Sequence, residues 1–96
     1  AFESALAIKS DYDEALYRMA EAYNKIGRHQ DALNAAKECL AIPRTKFAPH
    51  ASFEAGLAAK ALGQKQEALN YFKEAAKNRQ WSKAAEFEIE ALEKGL

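Results

Sequence analysis

The sequence predicts an all-α fold built from stacked helical hairpins. Its 96 residues contain 22 Ala and 9 Leu but only four Ile, one Thr and no Val. Ala and Leu are among the best helix formers, whereas strands favour β-branched residues. Apolar residues recur at three- and four-residue spacing, and one stretch of the chain returns 36 residues later. Because a chain this short hides only about 60–65% of its unfolded surface, we expect a single small domain.

Composition and charge narrow the class of protein. The chain is 49% hydrophobic and 29% charged, which is too apolar for a disordered tail, and no stretch approaches the roughly 20 apolar residues of a membrane span. Fourteen basic and fourteen acidic residues cancel, although the net charge is −2 over 1–38, +5 over 39–83 and −3 over 84–96. Such a chain lacks the field that draws basic proteins to nucleic acid. We therefore expect no nucleic-acid partner and no direct membrane span, and the compartment stays open.

An internal repeat divides the chain into units. The motif Ala-Leu-Asn at 32–34 returns at 68–70, and Gly27 returns as Gly63, both after 36 residues. The start of the chain matches the end of a unit, because Leu-Ala-Ile at its beginning returns 34 residues later. We therefore expect residues 2–9 to be the closing helix of a preceding repeat, in a segment of a longer protein. The apolar face of this helix would be uncovered and prone to self-association through Phe2, Leu6 and Ile8.

The first full unit begins with a predicted helix at 12–26. Asp11 lies three residues before Glu14, the spacing of a capping box at a helix start. Gly27 suits the helix end because glycine adopts the left-handed conformation without strain. The packing stripe of this helix, at i, i+3, i+4 and i+7, is formed by Leu16, Met19, Ala20 and Tyr23.

The second helix of this unit is predicted at 29–42. Pro43 follows it, and Pro49 suits the first turn of the next helix, where a missing N–H costs little. The segment 43–49 is then a connector, made basic by Arg44 and Lys46. The stripe of the second helix is Ala32, Ala36, Cys39 and Leu40.

The second unit predicts helices at 48–62 and 65–78, and a final amphipathic helix follows at 82–94. The apolar stripe of that last segment is Trp81, Ala85, Ile89 and Leu92. The expected divisions of the single domain are the end of a truncated repeat at 1–11, repeats at 12–46 and 47–80, and a terminal capping-type helix at 81–96.

A hairpin of about 34 residues with this pattern resembles the tetratricopeptide repeat, whose signature is W-x2-L-G-x2-Y, then A-x3-F, then P. The first unit matches these spacings with Leu16, Met19, Ala20, Tyr23, Ala32, Ala36 and Pro43. The second unit matches with Ser52, Ala55, Gly56, Ala59, Ala68 and Phe72, and lacks the proline. The large aromatic positions depart from the signature, whereas the small positions hold. The resemblance implies a right-handed α-solenoid of antiparallel hairpins with about six helices.

The resemblance also implies which residues hold the hairpins together. Small side chains stand where two helices approach too closely for bulk. The positions expected to be structural are Leu16, Met19, Ala20, Tyr23, Gly27, Ala32, Cys39, Ala55, Gly56, Ala59, Gly63, Ala68, Phe72 and Ala75.

The residue inventory argues against an enzyme. The sequence has no Gly-rich phosphate loop and no Cys/His ligand spacing, so we expect no cofactor and no metal. Cys39 is interpreted as a buried structural thiol, because neither histidine is near it in sequence. His29 follows a turn and is expected to be solvated. His50 and Glu54 are i, i+4 neighbours and are expected to form a surface pair.

A second face of each first helix is the candidate binding surface. In the resembled family these inner faces line a concave groove for partner peptides. The candidates are Tyr17, Glu21, Asn24, His50, Phe53, Leu57, Lys60 and Phe87. Tyr17 and Glu21 replace residues of the carboxylate clamp known in some members, so an apolar or amphipathic segment fits better. The aromatic residues could instead only pack between units.

These observations predict a non-catalytic protein-interaction module that holds a peptide or partner protein. The alternative is an architectural spacer or self-association segment of a larger protein, with no specific groove ligand.

Overall fold

The computed structural model describes the backbone of residues 9–95 and the side chains of residues 12–95. This part of the chain consists of helices joined by short turns and contains no strand, as predicted. The helices are α1 (Lys9–Lys25), α2 (His29–Leu40), α3 (Ala48–Ala61), α4 (Lys65–Ala76) and α5 (Arg79–Glu93). Of the helix expected at 2–9, residues 2–8 lie outside the described residues, whereas Lys9 belongs to α1.

Two helix starts differ from the sequence-based prediction. Helix α1 already includes Asp11, so the predicted start at residue 12 with Asp11 as N-cap is wrong. Helix α5 begins three residues earlier than predicted, because the Asn78 side chain caps it by accepting a hydrogen bond from the Gln80 N–H at 2.9 Å. Pro49 lies in the first turn of α3, as expected.

Both hairpins are closed by a glycine in the left-handed conformation. Gly27 has φ +84° and Gly63 has φ +80°. After Gly27, the Arg28 N–H donates to the Tyr23 carbonyl at 2.9 Å, and the corresponding bond after Gly63 is 2.8 Å. This is the Schellman pattern, which satisfies the last carbonyls of a helix while the chain reverses direction. The 36-residue repeat therefore encodes the same turn twice.

The five helices stack so that each contacts its neighbours in sequence. In addition, α1 contacts α3 and α3 contacts α5, whereas no Cα atoms of α2 and α4 approach within 8 Å. The first helices of successive hairpins therefore form one continuous layer, and the second helices lie apart on the other side. This nearest-neighbour arrangement is typical of helical-repeat proteins.

Small residues let the two helices of each hairpin approach closely. Ala20 and Ala32 are fully buried at the α1–α2 contact. In the second hairpin Gly56 of α3 lies against Phe72 of α4, and a Cβ atom at Gly56 would lie 2.6 Å from the Phe72 ring. Phe72 has an exposed fraction of 0%. The ring occupies the space that a side chain on α3 would need.

The inward face of α1 differs from the predicted stripe. Met19 has an exposed fraction of 45%, whereas Asp13 and Tyr17 are buried together with Leu16 and Ala20. Helix α1 packs against both α2 and α3, so its buried face is centred between the two neighbours. The expectation that Met19 belongs to the packing stripe is therefore wrong.

Candidate functional site

An aromatic cluster runs across the layer of first helices. The Tyr17 ring lies 5.8 Å from Phe47, which precedes α3, and 5.0 Å from His50. The His50 ring lies 5.1 Å from Trp81 at the start of α5, and Phe53 lies 5.0 Å from the same Trp81 ring. We call these five residues the aromatic cluster. It joins three first helices through offset and edge-to-face contacts.

Burial limits what the aromatic cluster can bind. Tyr17 has an exposed fraction of only 6%, and burial, followed by the nearby Glu21 carboxylate, raises the pKa of its hydroxyl. Burial also lowers the pKa of His50. In the part of the chain that the structure describes, the Nδ1 of His50 and the Nε1 of Trp81 are buried without a hydrogen-bond partner. Tyr17, His50 and Phe53 therefore pack one repeat on the next.

A chain of partly buried polar groups joins α1, α2 and α3. The Asn24 Nδ2 group donates to the Glu54 backbone carbonyl at 3.0 Å and to its carboxylate Oε1 at 2.8 Å. Asn24 Oδ1 lies 3.0 Å from His29 Nδ1, which is then the donor, because an amide oxygen only accepts. The expectation of a solvated His29 is therefore wrong. The expected His50–Glu54 surface pair is wrong as well, because Glu54 is buried.

Glu54 is an acidic residue inside the protein. Its exposed fraction is 7%, and burial raises the pKa of its carboxyl group, while the hydrogen bond from Asn24 lowers it. A buried carboxylate is destabilising unless donors compensate for its lost hydration. Asn24 is thus the group that makes Glu54 acceptable in the α1–α3 contact.

The α3–α5 contact contains an equivalent pair. Lys60, which follows Asn24 by 36 residues, donates from Nζ to Glu88 Oε1 at 2.7 Å. The Lys60 side chain is 39% exposed and that of Glu88 16%. This pair is more solvated than Asn24–Glu54, so screening by water weakens it.

A cavity of about 350 Å³ opens where α1, α2 and α3 meet. Three of the predicted groove residues line it, and His29, which the sequence did not indicate, lies among them. The lining residues are Asn24, His29, Leu57, Lys60 and Ala61. An aliphatic side chain thus shares one concavity with amide, imidazole and ammonium groups.

The remaining candidates lie apart from this cavity. Glu21 is half-buried and pairs with Arg18 at 3.4 Å. Phe87 lies on α5 with an exposed fraction of 69%. Cys39 is buried, and its thiol donates to the Asp13 carbonyl at 3.4 Å. Burial raises the pKa of Cys39, so it stays a protonated core thiol.

A partly buried hydrogen bond between α1 and the connector is not indicated by the sequence. Asp13 accepts a hydrogen bond from the Thr45 hydroxyl, which fixes the connector between the repeats against α1. The available signal was its spacing, since Asp13 precedes the buried Tyr17 by four residues and shares its helix face.

The described residues also bear on two other kinds of site, metal sites and membrane spans. No group of three or more His, Cys, Asp or Glu side chains among them is arranged to hold a metal ion. None of the described helices combines the length and the apolar character needed to cross a membrane.

Comparison with known proteins identifies the family. A family profile described as the TT21 fifth ARM repeats domain matches residues 1–91. Neither the curated proteins nor the solved structures gave a match. The predicted helical-repeat fold is confirmed, and the narrower assignment to the tetratricopeptide class stays a prediction. With almost its whole length matched, the chain belongs to the family of TT21 fifth ARM repeats domains.

Proposed function

We propose that this domain is a non-catalytic interaction module whose first-helix layer binds a peptide or protein segment. The observation that carries the proposal is the cavity at the α1–α2–α3 junction, which brings Asn24, Leu57 and Lys60 together. A helical-repeat stack holds such a surface rigidly, so a partner does not have to order it on binding.

The lining defines the chemistry of the segment that fits. Leu57 is only partly buried and offers its aliphatic side chain to an apolar anchor. Lys60 adds an ammonium donor at the rim, which favours an acidic or carbonyl group beside that anchor. The segment is therefore an apolar residue flanked by a hydrogen-bond acceptor, as in helix-in-groove recognition.

The repeat division belongs to the same proposal. We place one repeat at 12–46 and the next at 47–80, and we assign both to the tetratricopeptide class. Support comes from the two identical glycine-closed turns and from the Gly56–Phe72 contact. The alternative function, an architectural spacer, is favoured by the aromatic cluster, because those rings pack between repeats instead of facing a groove.

A Leu57→Arg substitution tests the binding role. Short peptides are selected from a random display library on the wild-type domain, and their affinities are measured for both proteins. Loss of the apolar contact, worth about 1.5–3 kcal/mol for a buried leucine, should weaken binding at least about tenfold. The control is Leu62→Arg, which changes an exposed leucine near the end of the same helix, outside the cavity.

The two variants separate the two functions. Binding that falls only in Leu57→Arg, with helix content unchanged, supports the groove. Selected peptides that bind both variants equally, or a selection that enriches no peptide, would favour the spacer.

A further inference from the structure

The contact between α1 and α3 follows a seven-residue rule. Tyr17 stacks on Phe47, and seven residues later on both helices Asn24 donates to Glu54. Seven residues are two helical turns, so the two contacts lie on one face of each helix. Helix α3, with Phe47 just before it, therefore presents an aromatic ring and, two turns later, a carboxylate.

The contact between α3 and α5 repeats this rule. Phe53 packs on Trp81, and seven residues later Lys60 donates to Glu88. Trp81 lies 34 positions after Phe47, and Glu88 lies 34 positions after Glu54. The position numbers rise together along both helices, so the paired first helices run parallel.

Helix α5 and its C-cap carry the next two residues of this series, and no described helix packs on these two side chains. Moving 34 positions from Phe53 and Lys60 leads to Phe87 and Lys94. Phe87 is 69% exposed. Lys94, the C-cap of α5, forms a salt bridge with Glu90 at 3.4 Å, and both side chains are exposed, so the pair is weak and can be exchanged. We call Phe87 and Lys94 the α5 face.

We propose that the α5 face docks a parallel amphipathic helix of a partner protein, one that presents an aromatic residue and, seven positions later, an Asp or Glu. The proposal continues the two internal contacts outward with the same geometry, and it pairs Lys94 with a carboxylate as Lys60 pairs with Glu88. It uses residues outside the cavity at Leu57, so it does not rest on the function proposed above.

Two other occupants fit less well. A second copy stacked in the same register would place its α1 on the α5 face. The position of α1 equivalent to the acceptor Glu54 is Arg18, 36 residues earlier, and its positive charge would repel Lys94. A further hairpin built like the second would need a small residue on α5 to receive a ring such as Phe72. The position of α5 equivalent to Gly56, 34 residues later, is occupied by the larger Glu90. A separate helix avoids both conflicts.

A synthetic peptide tests the docking directly. The probe is a fluorescein-labelled peptide of residues 78–95, which carries Trp81 and Glu88, with its own Phe87 and Lys94 replaced by alanine. Titration with the 96-residue protein at low salt should give saturable binding. Phe87→Ala in the protein should weaken it about tenfold, because burial of the ring and its aromatic contact are lost. Lys94→Glu should weaken it about threefold, as expected for a partly solvated ion pair.

A charge reversal tests whether Lys94 pairs with the acidic residue of the peptide. A peptide with Glu88→Lys should bind the Lys94→Glu protein better than it binds the wild type. Lys77→Glu, which changes an exposed lysine after α4, should leave the affinity unchanged. No peptide binding, an unchanged affinity in Phe87→Ala, or no recovery on charge reversal would overturn the proposal. Self-association of the protein that Phe87→Ala abolishes would overturn it in favour of a second copy.

Discussion

Phe72→Ala is expected to lower the free energy of unfolding by about 3–5 kcal/mol, a loss comparable with the whole stability of a small domain. The ring is fully buried, lies against the backbone of Gly56 and packs at 5.5 Å from Phe53. No neighbour can fill the space that it leaves, because the closest position on α3 has no side chain. Urea unfolding followed by far-UV circular dichroism measures the loss.

A matched control is Phe87→Ala, which removes the same side chain from an exposed position. We expect less than about 0.5 kcal/mol for this surface change. Should Phe72→Ala leave the domain unfolded, Phe72→Leu gives a graded and smaller loss. Equal losses in Phe72→Ala and Phe87→Ala would mean that the second hairpin is not held by this ring.

Asn24→Leu is expected to cost roughly 2–3 kcal/mol at neutral pH. The substitution leaves Glu54 buried without its side-chain donor, and an unsatisfied buried charge is destabilising beyond the value of the hydrogen bond itself. Chemical denaturation of both proteins measures the difference. Lys60→Met is the control, because it breaks the equivalent but more solvated pair with Glu88 and should cost less than about 1 kcal/mol.

The cost of Asn24→Leu should depend on pH with a defined sign. Burial already raises the pKa of Glu54, and removing the Asn24 hydrogen bond, which lowers that pKa, raises it further. The variant therefore favours the protonated carboxyl, and its deficit is largest above the raised pKa and shrinks as the pH falls towards 4.5, the ordinary glutamate value. A deficit that is constant between neutral and acidic pH would show that the Glu54 charge is not involved.

The hairpins could be predicted from the sequence because their signals are local. Gly27 and Gly63 recur at a fixed offset, and each forms the left-handed turn that glycine permits. Small buried residues recur at the same offset in two places, Ala20 with Gly56 and Ala32 with Ala68, since close helix contact leaves room only for small side chains. These features need no knowledge of how the hairpins are placed in space.

The rotation of each helix about its axis could not be predicted. In α1, Ala15, Met19 and Ala22 are exposed although they are apolar. An alanine-rich helix has apolar residues on most sides, so periodicity alone does not select the buried face. That face includes Asp13 and Tyr17 because α1 has two neighbours, α2 and α3.

The candidate site was predictable only in part for the same reason. Asn24, Leu57 and Lys60 do lie together at the cavity, since helical repeats bring equivalent positions into register. The sequence predicts Glu54 on the surface because acidic residues are rarely buried. Only the tertiary contact with Asn24 makes its burial tolerable.

The most direct test of the account is a double-mutant cycle between Gly56 and Phe72, because the close α3–α4 approach depends on the missing side chain. In the wild type, Gly56→Ala should cost about 1–3 kcal/mol through the clash with the ring, despite a gain of up to about 1 kcal/mol in helix propensity. In a Phe72→Leu background, which removes the nearest ring atoms, Gly56→Ala should be neutral or stabilising. The same loss in both backgrounds would contradict the close nesting of the two helices on which this fold depends.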